Sequence, residues 1–211
     1  MKVRYGSIRL GARTVFHRIS ATPDLKRWSD LDSFDASWGS RAELIAGLIP
    51  PGSRVLEFGA GQCRLRSFLD PRCVYTPADL VDRGPGTFVV DLNRRPLPLL
   101  TEHDPEVVVF AGVLEYLVRL PELVRWLAGE TPRCIASYEC ASTPRRSLRR
   151  LRESARRARS GWINSYREDD LVELFVRNGF ECVDRRTWST PDGDERVFVF
   201  EQPGPSGDAA R

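Results

Sequence analysis

A strand that runs straight into a glycine turn constrains this chain more than any other feature. Val55-Leu56-Glu57-Phe58 is apolar except for one carboxylate, and Gly59-Ala60-Gly61 follows at once. Leu65, Phe68 and Leu69 then recur at helical spacing. The pattern reads as a buried strand, a turn and a helix. A strand that feeds a helix through Gly-x-Gly brings backbone N–H groups and a helix N-terminus to a ligand, which points to a nucleotide-like cofactor.

The rest of the chain repeats that alternation. Ser40-Arg41-Ala42-Glu43 is a capping-box pattern ahead of Leu44, Ile45, Leu48 and Ile49, and Pro50-Pro51-Gly52 stops the helix. A second strand reads from Cys73 to Asp79, with Pro77 arguing against full pairing at its far end. Thr87 to Asp91 is a short third strand. Glu106 to Gly112 is nearly continuous in apolar residues, the mark of a central parallel strand. Pro121 suits the first turn of a helix carrying Leu123, Val124 and Leu127, and a fifth strand reads over 133–138. Ser165-Tyr166-Arg167-Glu168 is a second capping box, ahead of a helix that closes at Gly179. Two strands, 180–186 and 196–200, flank the turn Pro191-Asp192-Gly193-Asp194. The order predicts an α/β fold: a doubly wound, mostly parallel, seven-stranded sheet whose closing hairpin supplies an antiparallel edge strand.

The chain has 211 residues, enough for one domain with a sheet covered on both faces. No apolar stretch reaches signal-peptide or membrane-span length, so no transmembrane segment is expected. Cys63, Cys73, Cys134, Cys140 and Cys182 are odd in number and lack C-x-x-C spacing, so they read as reduced thiols, with no disulfide frame and no metal site. These features predict a cytoplasmic protein.

In an open α/β sheet, ligands sit beyond the carboxyl ends of the strands. Three carboxylates fall there: Glu57 after strand one, Asp79 after strand two and Asp91 after strand three. Asp79 lies 20 residues beyond Gly59, the separation at which an acid accepts hydrogen bonds from a ribose diol. A lone Asp after a strand is more often a cap or a turn former. Three in register with a glycine turn point to a site.

On these residues the chain resembles the class I S-adenosylmethionine-dependent methyltransferases, in detail the small bacterial forms often classed as type 11 or 12. Glu57-Phe58-Gly59-Ala60-Gly61 matches the first motif, an acid followed by GxG, and Ala111 to Leu117 looks like the segment after strand four. The likeness spans about residues 38–200 and implies S-adenosyl-L-methionine as cofactor. It implies that Glu57, Gly59 and Gly61 hold the amino-acid half, Asp79 the ribose, and Asp91 with Leu92 the adenine. Ala60, Leu80 and Gly112 complete the implied cofactor-binding set. Residues 1–37 are expected to cover the pocket, 38–202 to form the methyltransferase domain, and 203–211 to be a disordered tail. Two positions depart from the pattern: Cys63 stands for the frequent third glycine and Tyr116 for a frequent His. The rival cofactor is a nicotinamide dinucleotide, but Gly59-x-Gly61-x-x-Arg64 puts Arg where that fingerprint needs a small residue.

Methyl transfer from a sulfonium is an in-line displacement, with the acceptor held about 3 Å from the methyl. An oxygen acceptor usually also needs a base. Glu115 and Glu139, after strands four and five, are the catalytic candidates, with Tyr116 on the acceptor side. Tyr138 reads as a packing residue, and His103 as structural; orientation without any dedicated base stays open.

Residues 143–160 form an insert in which Thr143 to Arg159 carry eight arginines and one glutamate. Leu148, Leu151, Ala155, Ala158 and Trp162 fall near one face, so it reads as a basic amphipathic helix. A solvated helix is the plain reading. The functional uses are recognition of a phosphate- or carboxylate-bearing small-molecule or glycan acceptor through Arg145, Arg149 and Trp162, peripheral contact with an anionic membrane, and nucleic-acid binding. Nucleic acid ranks last, because the rest of the chain is net acidic. A non-catalytic module that binds an anionic partner through this helix is the alternative, favoured if side chains fill the cofactor cleft. An NAD-type oxidoreductase is the weakest reading.

Overall fold

The computed structural model describes residues 37–142, 153, 156–157, 161–190 and 193–204. Its elements are α1 (Trp38–Ala46), β1 (Arg54–Phe58), β2 (Val74–Asp79), β3 (Phe88–Val89), β4 (Val107–Ala111), α2 (Leu120–Leu127), β5 (Arg133–Tyr138), α3 (Glu168–Val176), β6 (Glu181–Thr190) and β7 (Gly193–Glu201). The seven strands form one sheet in the order β3-β2-β1-β4-β5-β7-β6. Pairing is parallel from β3 to β5, and β7 runs antiparallel to both β5 and β6. The reversal therefore stays at the hairpin edge, with β7 slotted between β5 and β6.

Alternating side chains give each sheet face its own core. Leu56, Phe58, Val108, Phe110, Ala136, Phe198 and Phe200 pack with α2 and α3 on one face. Val55, Val107, Val109, Ile135, Val197 and Val199 pack with Ile45 of α1 and Leu65 on the other. On the first face the rings of Phe175 and Phe200 stack at 3.8 Å between centroids. Strand alternation with both faces covered is what two-sided burial of a sheet requires.

Several local expectations need correction. The helix foreseen after β1 is only a four-residue 3-10 turn, Arg64–Ser67, and Phe68 beyond it is 43% exposed. Three apolar residues at helical spacing, Leu65, Phe68 and Leu69, did not suffice to propagate an α-helix. Neither capping box forms. Helix α1 begins three residues earlier than a Ser40 cap would set it, at Trp38, and the Ser40 hydroxyl donates back to the Ser37 carbonyl at 2.9 Å. Helix α3 starts at Glu168, whose carboxylate pairs with Arg185 and Arg196. Pro77 does not end the ladder: it lies opposite Glu57, and pairing continues to Phe58 and Ala78. Pro121 does sit in the first turn of α2.

Candidate active site

The register places Glu57, Asp79, the segment after Val89, Gly112 and Glu139 along the same carboxyl edge of the parallel strands. The glycine turn there does not present its N–H groups outward. The amides of Gly59 and Ala60 donate to the Ala78 carbonyl at 2.8 and 3.1 Å, and the Gly61 amide to Asp79 Oδ2 at 2.9 Å. The turn is stitched to the end of β2, so the three N–H groups expected to face a ligand are engaged within the protein. Three carboxylates, those of Glu57, Asp79 and Asp91, are brought to this edge.

Asp79 is buried, with both oxygens engaged. Its Oδ1 accepts from the Leu80 amide at 2.7 Å and from Arg83 Nη2 at 3.3 Å; Oδ2 accepts from Gly61, with Arg83 Nε at 3.1 Å. Glu57 accepts from the Tyr75 hydroxyl at 2.5 Å. Burial pushes the Glu57 carboxyl up to about 8; the Tyr75 hydrogen bond and the Arg41 charge oppose that rise, and the Asp79 charge adds to it. Asp91 serves its own turn, accepting from the Asn93 amide at 2.9 Å and pairing with Arg94 at 3.3 Å. Leu92 is packed in the core rather than displayed at the edge.

Arg41, which the sequence reading passed over, reaches this edge from α1. Its Nη1 donates to Glu195 Oε2 at 2.9 Å and Oε1 at 3.1 Å, and its guanidinium lies 5.3 Å from the Trp38 ring and 5.2 Å from the Trp188 ring. The signal was available: Arg41 stands four residues before Ile45, on the buried face. Gly112 has φ +70, and a Cβ there would meet Arg41 Nη1 at 2.7 Å. Gly59, also at φ +70, would place a Cβ 2.4 Å from Val113 Cγ2. Both positions need glycine, for backbone conformation and for space.

On the β4–β5 side, Glu115 sits in a 3-10 turn, Leu114–Tyr116, and is only 2% exposed. Its Oε1 accepts from the Glu139 amide at 2.9 Å, and its Oε2 is buried without a partner. Burial first and the Glu195 charge second push this carboxyl up to about 7. The Glu139 carboxylate is paired with Arg156 of the insert. Tyr138 is structural, as expected: its hydroxyl donates to Asn164 Oδ1 at 2.6 Å and accepts from the Tyr166 amide at 2.9 Å and Arg157 Nη2 at 3.2 Å.

Arg157, Asn93 and Asn164 were also missed. Arg157 is 2% exposed, donates to the Glu139 carbonyl at 2.7 Å and lies 4.7 Å from the Trp162 ring. Trp162 Nε1 in turn donates to the Tyr116 hydroxyl at 3.1 Å. Asn93 and Asn164 hold the 114–116 turn by its carbonyls: Asn93 Nδ2 donates to Tyr116, and Asn164 Nδ2 to Leu114 and Leu117. In sequence each is one more loop Asn or one of eight insert arginines, with no periodicity to single it out. Arg145 and Arg149, and residues 1–36 of the segment expected to cover the pocket, lie outside the described residues, as does most of the 143–160 helix and the tail from 205. Among the described residues, no cluster of His, Cys, Asp or Glu suits a metal ion and no helix is long and apolar enough to cross a membrane.

No protein-family model matches the chain, and no curated protein is similar to it in sequence. Solved structures are similar in fold. The 1,6-didemethyltoxoflavin-N1-methyltransferase of Burkholderia thailandensis, solved with S-adenosylhomocysteine, matches at TM-score 0.60 and 15% identity over 97% of this chain and 92% of that one. Magnesium protoporphyrin IX methyltransferase from Synechocystis PCC 6803, solved with S-adenosylmethionine, matches at TM-score 0.60 and 13% identity over 96% and 100%. A mitomycin 7-O-methyltransferase gives TM-score 0.63 and 14% identity over 93% and 67%. The fold is that of the class I S-adenosylmethionine-dependent methyltransferases.

Proposed function

We propose that this chain is an S-adenosylmethionine-dependent methyltransferase. The observation that carries the reading is the chemistry of the strand-end edge. The amides of Gly59, Ala60 and Gly61 are engaged within the protein, and the edge gathers three carboxylates, Glu57, Asp79 and Asp91. Pyrophosphate needs the opposite arrangement, free N–H donors at a glycine turn, so a dinucleotide cofactor is disfavoured. A ligand with an ammonium, a sulfonium and a ribose diol suits this edge. Glu57 fits it in particular: burial leaves its carboxyl raised to about 8, and a cation beside it would restore the charged form.

In this reading Glu57 faces the cationic end of the cofactor, Asp79 with Leu80 the ribose, and Asp91 the adenine side, while Gly59, Ala60, Gly61 and Gly112 keep backbone from obstructing it. When bound, S-adenosylmethionine supplies a methyl already activated on sulfur. Glu115 is the residue of choice to hold a proton from the acceptor. Its unpartnered Oε2 gives it a place to take one, and a carboxyl near 7 exchanges protons at neutral pH. Glu139 is less suited, because Arg156 already occupies it. The acceptor is an anionic small molecule or glycan. Support for that comes from Arg157, a buried cation with no carboxylate of the described residues within ion-pair distance and its Nε without a partner. A buried charge left uncompensated is costly.

A second reading has a specific observation behind it. Val113 and Arg41 occupy the spaces beside Gly59 and Gly112, and Arg83 engages Asp79, as in a binding module whose cleft is filled by its own side chains. Calorimetric titration with S-adenosylhomocysteine decides between them. Micromolar binding that Asp79→Ala abolishes supports the methyltransferase; no binding by the wild-type protein supports the filled module.

A further inference from the structure

Arg83 stands where a ribose diol would have to bind, and we propose that it governs cofactor affinity by having to leave Asp79 first. The inference rests on the cofactor reading above. A carboxylate offers about four lone-pair positions. At Asp79 the amides of Leu80 and Gly61 take one on each oxygen, at 2.7 and 2.9 Å. The Arg83 guanidinium takes the second position on Oδ1, Nη2 donating at 3.3 Å, and its Nε lies 3.1 Å from Oδ2 without hydrogen-bonding to it. Two hydroxyl donors arriving together find one acceptor position not hydrogen-bonded, on Oδ2, and the guanidinium of Arg83 lies over it.

Of these partners only Arg83 can withdraw without rebuilding the fold. The two amides belong to the end of β2 and to the glycine turn stitched to it. Arg83 contributes a long side chain from a turn closed on itself. Its own amide donates to Thr87 Oγ1 at 3.1 Å, the Thr87 amide donates to the Gly84 carbonyl at 3.1 Å, and the Thr87 hydroxyl donates to that carbonyl at 2.8 Å. Side-chain torsions can take the guanidinium off Asp79 while the turn stays in place. Both partners are 6% exposed, so water and salt screen the pair little. The apparent affinity for any ribose-bearing ligand is then the intrinsic affinity multiplied by the fraction of molecules in which Arg83 is away. This makes Arg83 a residue that sets affinity, acting through Asp79, and not a catalytic one.

The test is calorimetric titration of wild-type protein and Arg83→Gln with S-adenosylhomocysteine, with circular dichroism to establish that the variant is folded. Arg83→Gln is expected to bind about tenfold more tightly. If the wild type binds and the folded variant binds no better, the proposal is overturned while the cofactor reading stands. If neither binds, both fall. A second measurement needs no variant: phenylglyoxal labelling of the wild type, read peptide by peptide, with and without saturating S-adenosylhomocysteine. Labelling of Arg83 should rise with ligand. Unchanged or reduced labelling at a ligand concentration that saturates binding overturns the proposal even if Arg83→Gln does not fold.

Discussion

The Tyr75 hydroxyl donates to Glu57 Oε2 at 2.5 Å, and it does so from the neighbouring parallel strand, inside a region where burial holds the Glu57 carboxyl at about 8. Between the ordinary 4.5 and about 8 the folded chain keeps a proton on Glu57 that the unfolded chain has released. A folded-state value raised this way makes stability fall as pH rises through that window and level off above it. One retained proton gives a slope of at most about 1.4 kcal/mol per pH unit. Glu115 adds the same sign of slope up to about 7. Urea unfolding across this range should show the decline, and Glu57→Gln should flatten it.

The same carboxyl makes a calorimetric prediction. A cationic ligand placed beside Glu57 lowers its value, so binding of S-adenosylhomocysteine near pH 7 should expel a proton. Titrations in buffers of different ionisation enthalpy measure that proton directly. Glu57→Gln should bind without releasing it. Equal proton release in wild type and variant would place the cation elsewhere.

Arg41 joins α1 to β7 through Glu195, between two tryptophan rings. Arg41→Ala removes the cation and leaves Glu195, 18% exposed, without its partner. The expected loss is about 3 kcal/mol in chemical denaturation. Adding Glu195→Gln to that variant should recover part of it, since the uncompensated charge is then gone.

Cys63 has φ 53 and ψ 35, a left-handed conformation at the position where the resembling family often has glycine. Cys63→Gly should therefore be close to neutral or mildly stabilising, whereas Cys63→Val, with a branched β-carbon, should be worse than the glycine variant by about 2 kcal/mol. Thermal unfolding of the two variants side by side measures the difference.

Asn164 ties three groups together: the carbonyls of Leu114 and Leu117 and the Tyr138 hydroxyl. Asn164→Ala leaves these buried groups unsatisfied and should destabilise by about 3 kcal/mol. Hydrogen exchange should accelerate first around 114–117, the turn that carries Glu115. Uniform acceleration across the sheet instead would show that the turn has no local stability of its own.

The sheet was legible because burial on two faces leaves long apolar runs such as Val107 to Phe110, and the glycine turn marks where the first strand ends. The position of Asp79 was legible for the same reason: strand length and one turn fix it. What could not be read was which partner a polar group takes. Both capping boxes had the right residues at the right spacing, yet Ser40 lies inside a helix and Glu168 is drawn to Arg185 and Arg196, ion pairs across tertiary contacts. Leu65, Phe68 and Leu69 followed a helical period, but a period alone does not overcome the cost of nucleating a helix. Arg157 gave no pattern because its partner, the Glu139 carbonyl, is set by tertiary packing; Arg83 stands only four residues after Asp79, but outside a helix that spacing does not by itself bring two side chains together.

Among the described residues strand β6 hydrogen-bonds to β7 alone, while β7 also pairs with β5 across six residues. The edge strand thus has no way onto the sheet except through a neighbour that follows it in the chain. The hairpin closes over a short sequence distance and so assembles early. It can then dock onto β5 as a prefabricated unit, delivering Val197 to Phe200, all buried, to both cores at once. The slow events are left to the parallel strands, where β1 must find β4 across an intervening pair of strands.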